Sequence, residues 1–427
     1  MHRIAGICAL LFVCPTWPLA AQDTVGVHAV RPSVTTCLNV RVAPEPDAAV
    51  VRCLVAGVRV AADSSVPFWR RITMPGGERG WAAKRFLEPL PGVALDADAT
   101  GPDRWLEIHI VDVGQGDGIW IATPDDGVAG NGRFDGRNVI IDGGPYGSDA
   151  SNPMLAYLRE RAYEGAVIDA LIVTHPHNDH FPGAQGILRH FDVLAYYDPG
   201  YPKDGVVYDA FLTLVDRERV DGRPIAIHRG SVDELGALDW GSEIDAAFLY
   251  SYPGTPDGLG SGSTLENNAS VVLRVQYGDH VFLFMGDAEG KDRDQGAEEA
   301  RYVERMLLDA YPAAYLKATV LKLAHHGSET SSTLPFIDAV NPDVIIVSSG
   351  IKPYGPRYLP DESTLARCCA HNPAVRTYRT DRNDRRGAPT RDAVDRDHIV
   401  IRTNGRVLQI IAYDRGAELA EGVARCG

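Results

Sequence analysis

From residue 106 onward the chain alternates short apolar runs with longer amphipathic stretches. Residues 106–111 (LEIHIV) alternate apolar and polar positions, the period of a strand with one face packed. Residues 119–122, 139–141, 170–173, 282–285, 320–323 and 344–347 are short, almost continuously apolar runs, as strands covered on both faces require. Residues 154–162 and 183–190 read as helices. Residues 291–311 read as a charged helix whose Glu298, Glu299, Glu304 and Arg305 form a solvated face. Residues 399–401 and 408–411 predict a closing hairpin. The order predicts an α/β (α+β) layered domain over 104–427. The Asp-, Gly- and Asn-rich stretch 125–138 lacks the ligand spacing of an EF-hand and reads as a hairpin insertion.

Upstream, residues 35–88 hold five short β-type runs around residues 37–41, 50–54, 58–60, 69–72 and 80–82, separated by turn residues. Such a series predicts a small all-β barrel. The run Leu38-Asn39-Val40-Arg41 and the closing Gly80-Trp81-Ala82 are similar to those of bacterial SH3-like modules of exported proteins, which implies a cell-wall contact or a rigid appendage. Residues 89–103 read as the linker.

Chemistry concentrates where three apolar runs end. Residues 175–180 read His-Pro-His-Asn-Asp-His directly after the 170–173 run. Imidazole and carboxylate together suit zinc and similar first-row ions. Extended geometry puts His175 and His177 on one side, able to share an ion, while Asp179 and His180 follow where the chain turns. The 282–285 run ends in Gly286-Asp287, and the 320–323 run leads into His325-His326-Gly327-Ser328. His109 and His228 sit within strand-like runs and read as structural histidines.

The HxHxDH arrangement resembles the metallo-β-lactamase superfamily. Residues 111–117 (VDVGQGD), 140–144 (IIDGG), 266–273 (ENNASVVL) and the HHGS segment resemble one branch of it, the C-terminal domain of ComEC-type DNA-uptake proteins and its free-standing relatives. The likeness covers residues 105 to 415 and implies a four-layer αβ/βα sandwich. It also implies two divalent metal ions, zinc or manganese. His175 and His177 would hold the first, Asp179, His180 and His325 the second, with Asp287 spanning both. His326 is the nearby proton donor in this reading. Asn267 and Asn268 are expected to polarise a phosphoryl oxygen, with Ser270 supporting that substrate loop, Gln115 and Asp117 beside the site, and Asp142 fixing a turn below it. The implied function is an exported metal-dependent hydrolase, a phosphodiesterase or nuclease that activates hydroxide between two ions, with single-stranded DNA as a substrate. The alternatives are a hydrolase of a cell-wall phosphoester or lactone-type substrate, or a non-catalytic wall-binding protein. The chain departs from the pattern twice: no histidine marks a third ligand for the first ion, and Tyr354-Gly355-Pro356-Arg357 lacks the family's histidine.

Charge and cysteines narrow the setting. A net charge of −15 argues against broad attraction to nucleic acid or anionic membranes. The exception is a locally basic stretch, Arg376, Arg379, Arg382, Arg385, Arg386 and Arg391, with Tyr378 placed to stack on a base. It reads either as a solvated, partly salt-bridged loop or as a polyanion track. Residues 1–21 read as a cleaved signal peptide, so the mature chain is expected to be exported, periplasmic or extracellular, with no further membrane segment. Of the cysteines that remain, Cys37 and Cys53 are natural partners, and Cys426 is expected to pair with Cys368 or Cys369.

Overall fold

The computed structural model describes residues 26–89, 105–125, 136–161, 166–390, 394–419 and 424–425, apart from residues 32, 35, 36, 55, 57, 67 and 75–78. The expected signal segment, most of the linker, residues 126–135, Arg391 and Cys426 lie outside the described residues. The chain forms two compact units, within residues 1–100 and 101–427.

The first unit is a seven-stranded antiparallel sheet. The five runs read from the sequence all form strands, and Gly26–Val30 and Leu87–Pro89 join them. Gly26–Val30 lies before the expected start at residue 35 and pairs with Arg59–Val66 and Leu87–Pro89. Val40, Val60, Ile72, Met74 and Ala82 fill the core. Cys37 and Cys53 are disulfide-bonded.

The second unit is built on two mixed sheets. One has nine strands, with Ala226–Arg229, Ala195–Asp198, Ala170–Ile172, Asn138–Ile141, Ile119–Ala122, Leu106–Ile110, Ile399–Thr403 and Leu408–Asp414 in spatial order before a short edge strand. The other has seven and runs from Ile244–Tyr250 through Val272–Tyr277, His280–Phe284, Val320–Lys322 and Val344–Val347 to Arg376–Arg379 and Ala424–Arg425. Side-chain alternation explains the layering. Ile108, Ile121, Val139 and Ile172 of the first sheet share one core with Phe282, Phe284, Val320 and Ile346 of the second. The intervening residues point outward. Ile140, Leu171 and Val173 pack on helices Pro153–Arg161, Ala184–His190 and Val206–Arg217, and Leu283, Leu321 and Ile345 pack toward Tyr302–Ala310 and Leu334–Val340. The result is the expected four-layer sandwich.

One expectation fails. The charged stretch 291–311 is helical only over Tyr302–Ala310, and Glu304 is fully buried rather than solvated. Its carboxylate accepts hydrogen bonds from the backbone N–H of Ser332 and Thr333 and from the Thr333 hydroxyl. It thereby anchors the segment that leads into the Leu334–Val340 helix, including its N-cap residue Thr333, a demand local charge patterning does not reveal. Cys368 is a buried free thiol, whereas Cys369 is disulfide-bonded.

Candidate metal centre

Parallel pairing puts the C-terminal ends of Asn138–Ile141 and Ala170–Ile172 on one edge of the first sheet. It does the same for His280–Phe284 and Val320–Lys322 in the second. The loops leaving these ends carry Asp142, the 175–180 motif, Asp287 and the His325-His326 pair. They meet at a single point. Asp287 Oδ2 lies 3.7 Å from His175 Nε2, 3.4 Å from His180 Nε2 and 3.4 Å from His326 Nε2. Asp179 Oδ2 lies 4.0 Å from His326 Nε2. Two close-approach features hold the loops together. Gly116 is in a conformation L side chains rarely adopt (φ +140°), and a Cβ there would meet the Asp179 carbonyl oxygen at 2.1 Å. His325 and His326 both occupy the left-handed region, at φ 48° and 53°, a costly arrangement for two successive non-glycine residues that aims their rings apart.

The donors are held from behind. The Asp142 carboxylate takes the Thr174 N–H at 2.8 Å and hydroxyl at 2.6 Å, and meets His180 Nδ1 at 2.8 Å, leaving Nε2 to face Asp287. The Ser270 hydroxyl accepts from the Asp287 N–H at 2.9 Å and lies 3.3 Å from His175 Nδ1. His326 Nδ1 lies 2.8 Å from the Ser348 carbonyl oxygen and 3.5 Å from Asp117, whose other oxygen is paired with the buried Lys322. Orienting contacts of this kind fix ring tautomer and aim in metal sites.

The donor set fits divalent ions. His175 Nε2, His180 Nε2, His326 Nε2, Asp287 Oδ1 and Asp117 Oδ1 are all buried without a hydrogen-bond partner, and such orphaned atoms are costly unless something else satisfies them. Overlapping donor groups result, among them His175, His180 and Asp287; Asp179, His180 and His326; and Asp117, Asp287 and His326. Crowding of these groups perturbs their titration. Burial alone would lower His326, yet Asp287 and Asp117 raise it to about 9. Burial and the neighbouring His180 push His175 well below its ordinary range.

The remaining expected residues fall as follows. His177 faces Glu266 at 2.7 Å, and Lys203 reaches the same carboxylate oxygen. His325 turns Nδ1 to Glu289 at 3.1 Å and sits 4.0 Å from Asp287. The structure thus places His326, rather than His325, among the Asp179, His180 and Asp287 donors. Asn267 donates to Glu289 at 2.9 Å, with its carbonyl oxygen buried and unpartnered. Asn268 is corrected. It is fully buried, donates to the Leu259 carbonyl and accepts from the Glu289 N–H, so it braces the loop rather than facing a substrate. Ser270 is likewise buried and serves His175 and Asp287 rather than a substrate. Gln115 accepts from Ser349 and Gly350. His228 stacks on Tyr197 at 4.6 Å, and His109 on Trp120 at 4.5 Å, both outside the cluster.

Sequence reasoning missed Lys322, Glu289, Lys203, Lys352 and the placement of Tyr354. Lys352 and the Tyr354 hydroxyl reach Asp179 Oδ2 at 3.4 and 3.2 Å. For Lys322 a signal existed: it stands at an inward position of the Val320–Lys322 strand, where a charge needs a buried partner.

A family model described as the metallo-beta-lactamase superfamily matches residues 133–350, and the chain belongs to that superfamily, whose members are in general metal-dependent hydrolases. ComE operon protein 3 of Bacillus subtilis is 29% identical over 297 residues, covering 65% of this chain and 32% of that protein. Recombination protein 2 of Haemophilus influenzae is 27% identical over 272 residues, covering 63% of this chain and 27% of that one. The chain thus spans about a third or less of these relatives' length. Among solved structures, the metallo-beta-lactamase fold protein YhfI from Bacillus subtilis aligns with a TM-score of 0.33 and 12% identity, over 62% of this chain and 93% of that one.

Proposed function

We propose that this chain is a metal-dependent phosphodiesterase, with a nucleic-acid strand as its substrate. The observation that carries the reading is the meeting of orphaned imidazole nitrogens and carboxylates from two sheets at one edge. His175, His180 and Asp287 would hold one divalent ion, zinc or manganese, and Asp179, His326 and Asp287 a second, while His177 is turned to Glu266. When bound, such ions supply Lewis acidity and acidify water near neutral pH. The chain's own groups do the rest. Lys203, beside His177, and Lys352 with Tyr354, beside Asp179, offer donors from two sides for the non-bridging oxygens of a phosphodiester. Donors of that kind also reconcile an acidic chain with an anionic substrate, because the favourable field is confined to the site. Residues 1–21 and the small β unit further suggest export and a wall contact, which fractionation of the native host and wall-pelleting of the mature chain test.

The deciding experiment assays the mature chain on bis-p-nitrophenyl phosphate, single-stranded DNA and nitrocefin, with and without chelator. Both phosphodiesters should be hydrolysed, chelator should stop the reaction, and D287A should lose on the order of a hundredfold or more. Nitrocefin turnover without phosphodiester turnover would overturn the reading.

A further inference from the structure

The turn that carries Lys352 and Tyr354 has its root at the metal centre and its tip in solvent. Reciprocal backbone hydrogen bonds of 2.8 and 3.3 Å close it between Tyr354 and Arg357. Pro353 and Pro356 restrict its remaining torsions, so little freedom is lost when something binds. Residues 353–357 are all exposed, and a Cβ added at Gly355 would meet nothing within 4 Å. Tyr354 spans the two ends: its hydroxyl donates to Asp179 at 3.2 Å, while 37% of the residue's surface stays open. Lys352 Nζ lies 5.0 Å from the Tyr354 ring centre, so a positive charge sits beside the ring.

Arg357 ends the turn, and among the described residues its exposed guanidinium joins no ion pair. Its neighbours in space are less free. Arg379 donates to both oxygens of Asp381, at 2.8 and 2.5 Å, and Arg382 faces Asp414 at 3.5 Å. Arg386 is intermediate: it lies 3.8 Å from Glu362, a pair so exposed on both sides that it holds weakly, and 5.7 Å from the Tyr358 ring centre. An exposed arginine alone is ordinary. Arg357 differs because a stiff turn fixes it beside a ring whose other end touches a metal-centre carboxylate.

We propose that this turn is the strand-binding subsite of the metal centre. It takes the unpaired nucleotide next to the reacting phosphodiester, with the base against the Tyr354 ring and the outer phosphate on Arg357. Tyr358 and Arg386 repeat the ring-and-guanidinium pair one step further along the strand. The position of the reacting phosphate rests on the phosphodiesterase reading. A ring accepts any unpaired base, and a guanidinium takes two phosphate oxygens at once. Bases stacked inside a duplex offer no free face, so the subsite suits single strands. Residues 354–357 are also where the chain departs from its family's pattern, so this grip is the chain's own.

Fluorescence anisotropy of the zinc-loaded full chain with a short labelled phosphorothioate oligothymidylate, which resists cleavage, tests this. Tyr354→Leu should weaken binding by about tenfold, and Tyr354→Phe, which keeps the ring, by less. Arg357→Ala should lower the slope of log affinity against log salt by about 0.7, the share of one phosphate contact on a single strand. An abasic strand of the same length should bind about tenfold more weakly and ignore Tyr354→Leu. Tyr354 and Arg357 are both exposed, so neither change strips the core. No binding of the strand, equal affinity for the abasic strand, or an unchanged salt slope in Arg357→Ala would each overturn the proposal. Hydrolysis of bis-p-nitrophenyl phosphate is scored separately. A chain that cuts it without gripping the strand loses this subsite, and one that grips the strand without cutting loses the phosphodiesterase reading.

Discussion

His325 and His326 are adjacent, equally capable ligands by chemistry, yet the backbone sends them to different partners. His326 Nε2 faces Asp287 and Asp179, whereas His325 Nδ1 turns to Glu289. H326A should therefore lose about one equivalent of metal, with most of the activity. H325A should keep its metal content. Elemental analysis of both variants checks this, and equal metal loss would show that the two rings share the site. Behind His180, the Asp142 carboxylate sets which ring nitrogen faces inward. D142N should cost about 10- to 100-fold in metal affinity, read by competition with a chromogenic chelator.

At the scale of elements, the Val320–Lys322 strand delivers a charge into the space between the sheets. Lys322 and Asp117 are both almost wholly buried and paired with each other. Burial would raise Asp117, but Lys322 and then His326 hold it down to about 2. K322M leaves that carboxylate uncompensated and should cost roughly 3–5 kcal/mol. D117N combined with K322M should recover part of the loss, as denaturant midpoints would show. The Ile399–Thr403 strand brings a second titrating group. His398 accepts the Asp112 N–H at 3.0 Å, and burial, then Arg161 and Arg396, hold its pKa down to about 3. Its unfolded imidazole titrates near 6.5. The unfolded state therefore binds the extra proton, and this contribution is full above pH 6.5 and lost as pH falls toward 3. In H398Q the slope of stability against pH between 6 and 4 should flatten by roughly 1.4 kcal/mol per pH unit.

For the whole molecule, ions that bind only the folded donor cluster add stability by mass action. Chelation should lower the melting temperature of the 101–427 unit, and zinc should restore it. The small β unit responds to a different constraint. Cys37 and Cys53 close a loop with a sequence separation of 16. Replacing both with Ala should destabilise that unit by about 3 kcal/mol, through the entropy returned to the unfolded chain. Faster hydrogen exchange confined to residues 26–89 is the expected signature.

Strand positions and the types of candidate metal donor were legible in the sequence, because side-chain alternation and the spacing within residues 175–180 are local properties, while the four-layer order came from the resemblance those motifs carry. The three ligand-bearing strand ends could be named for the same reason. What only the tertiary structure decided involves partners distant along the chain. Asp117 and Lys322 are 205 residues apart, and Asp142 and His180 are 38. Asn268 looked free for a substrate, but its bonds to Leu259 and Glu289 make it a brace of the loop. Within the basic stretch 376–386, Arg379 is held by both oxygens of Asp381 and Arg382 faces Asp414, pairings that its spacing along the chain does not reveal. A sequence shows which groups a chain carries; whether a buried group is already satisfied depends on what packing brings within a hydrogen bond of it.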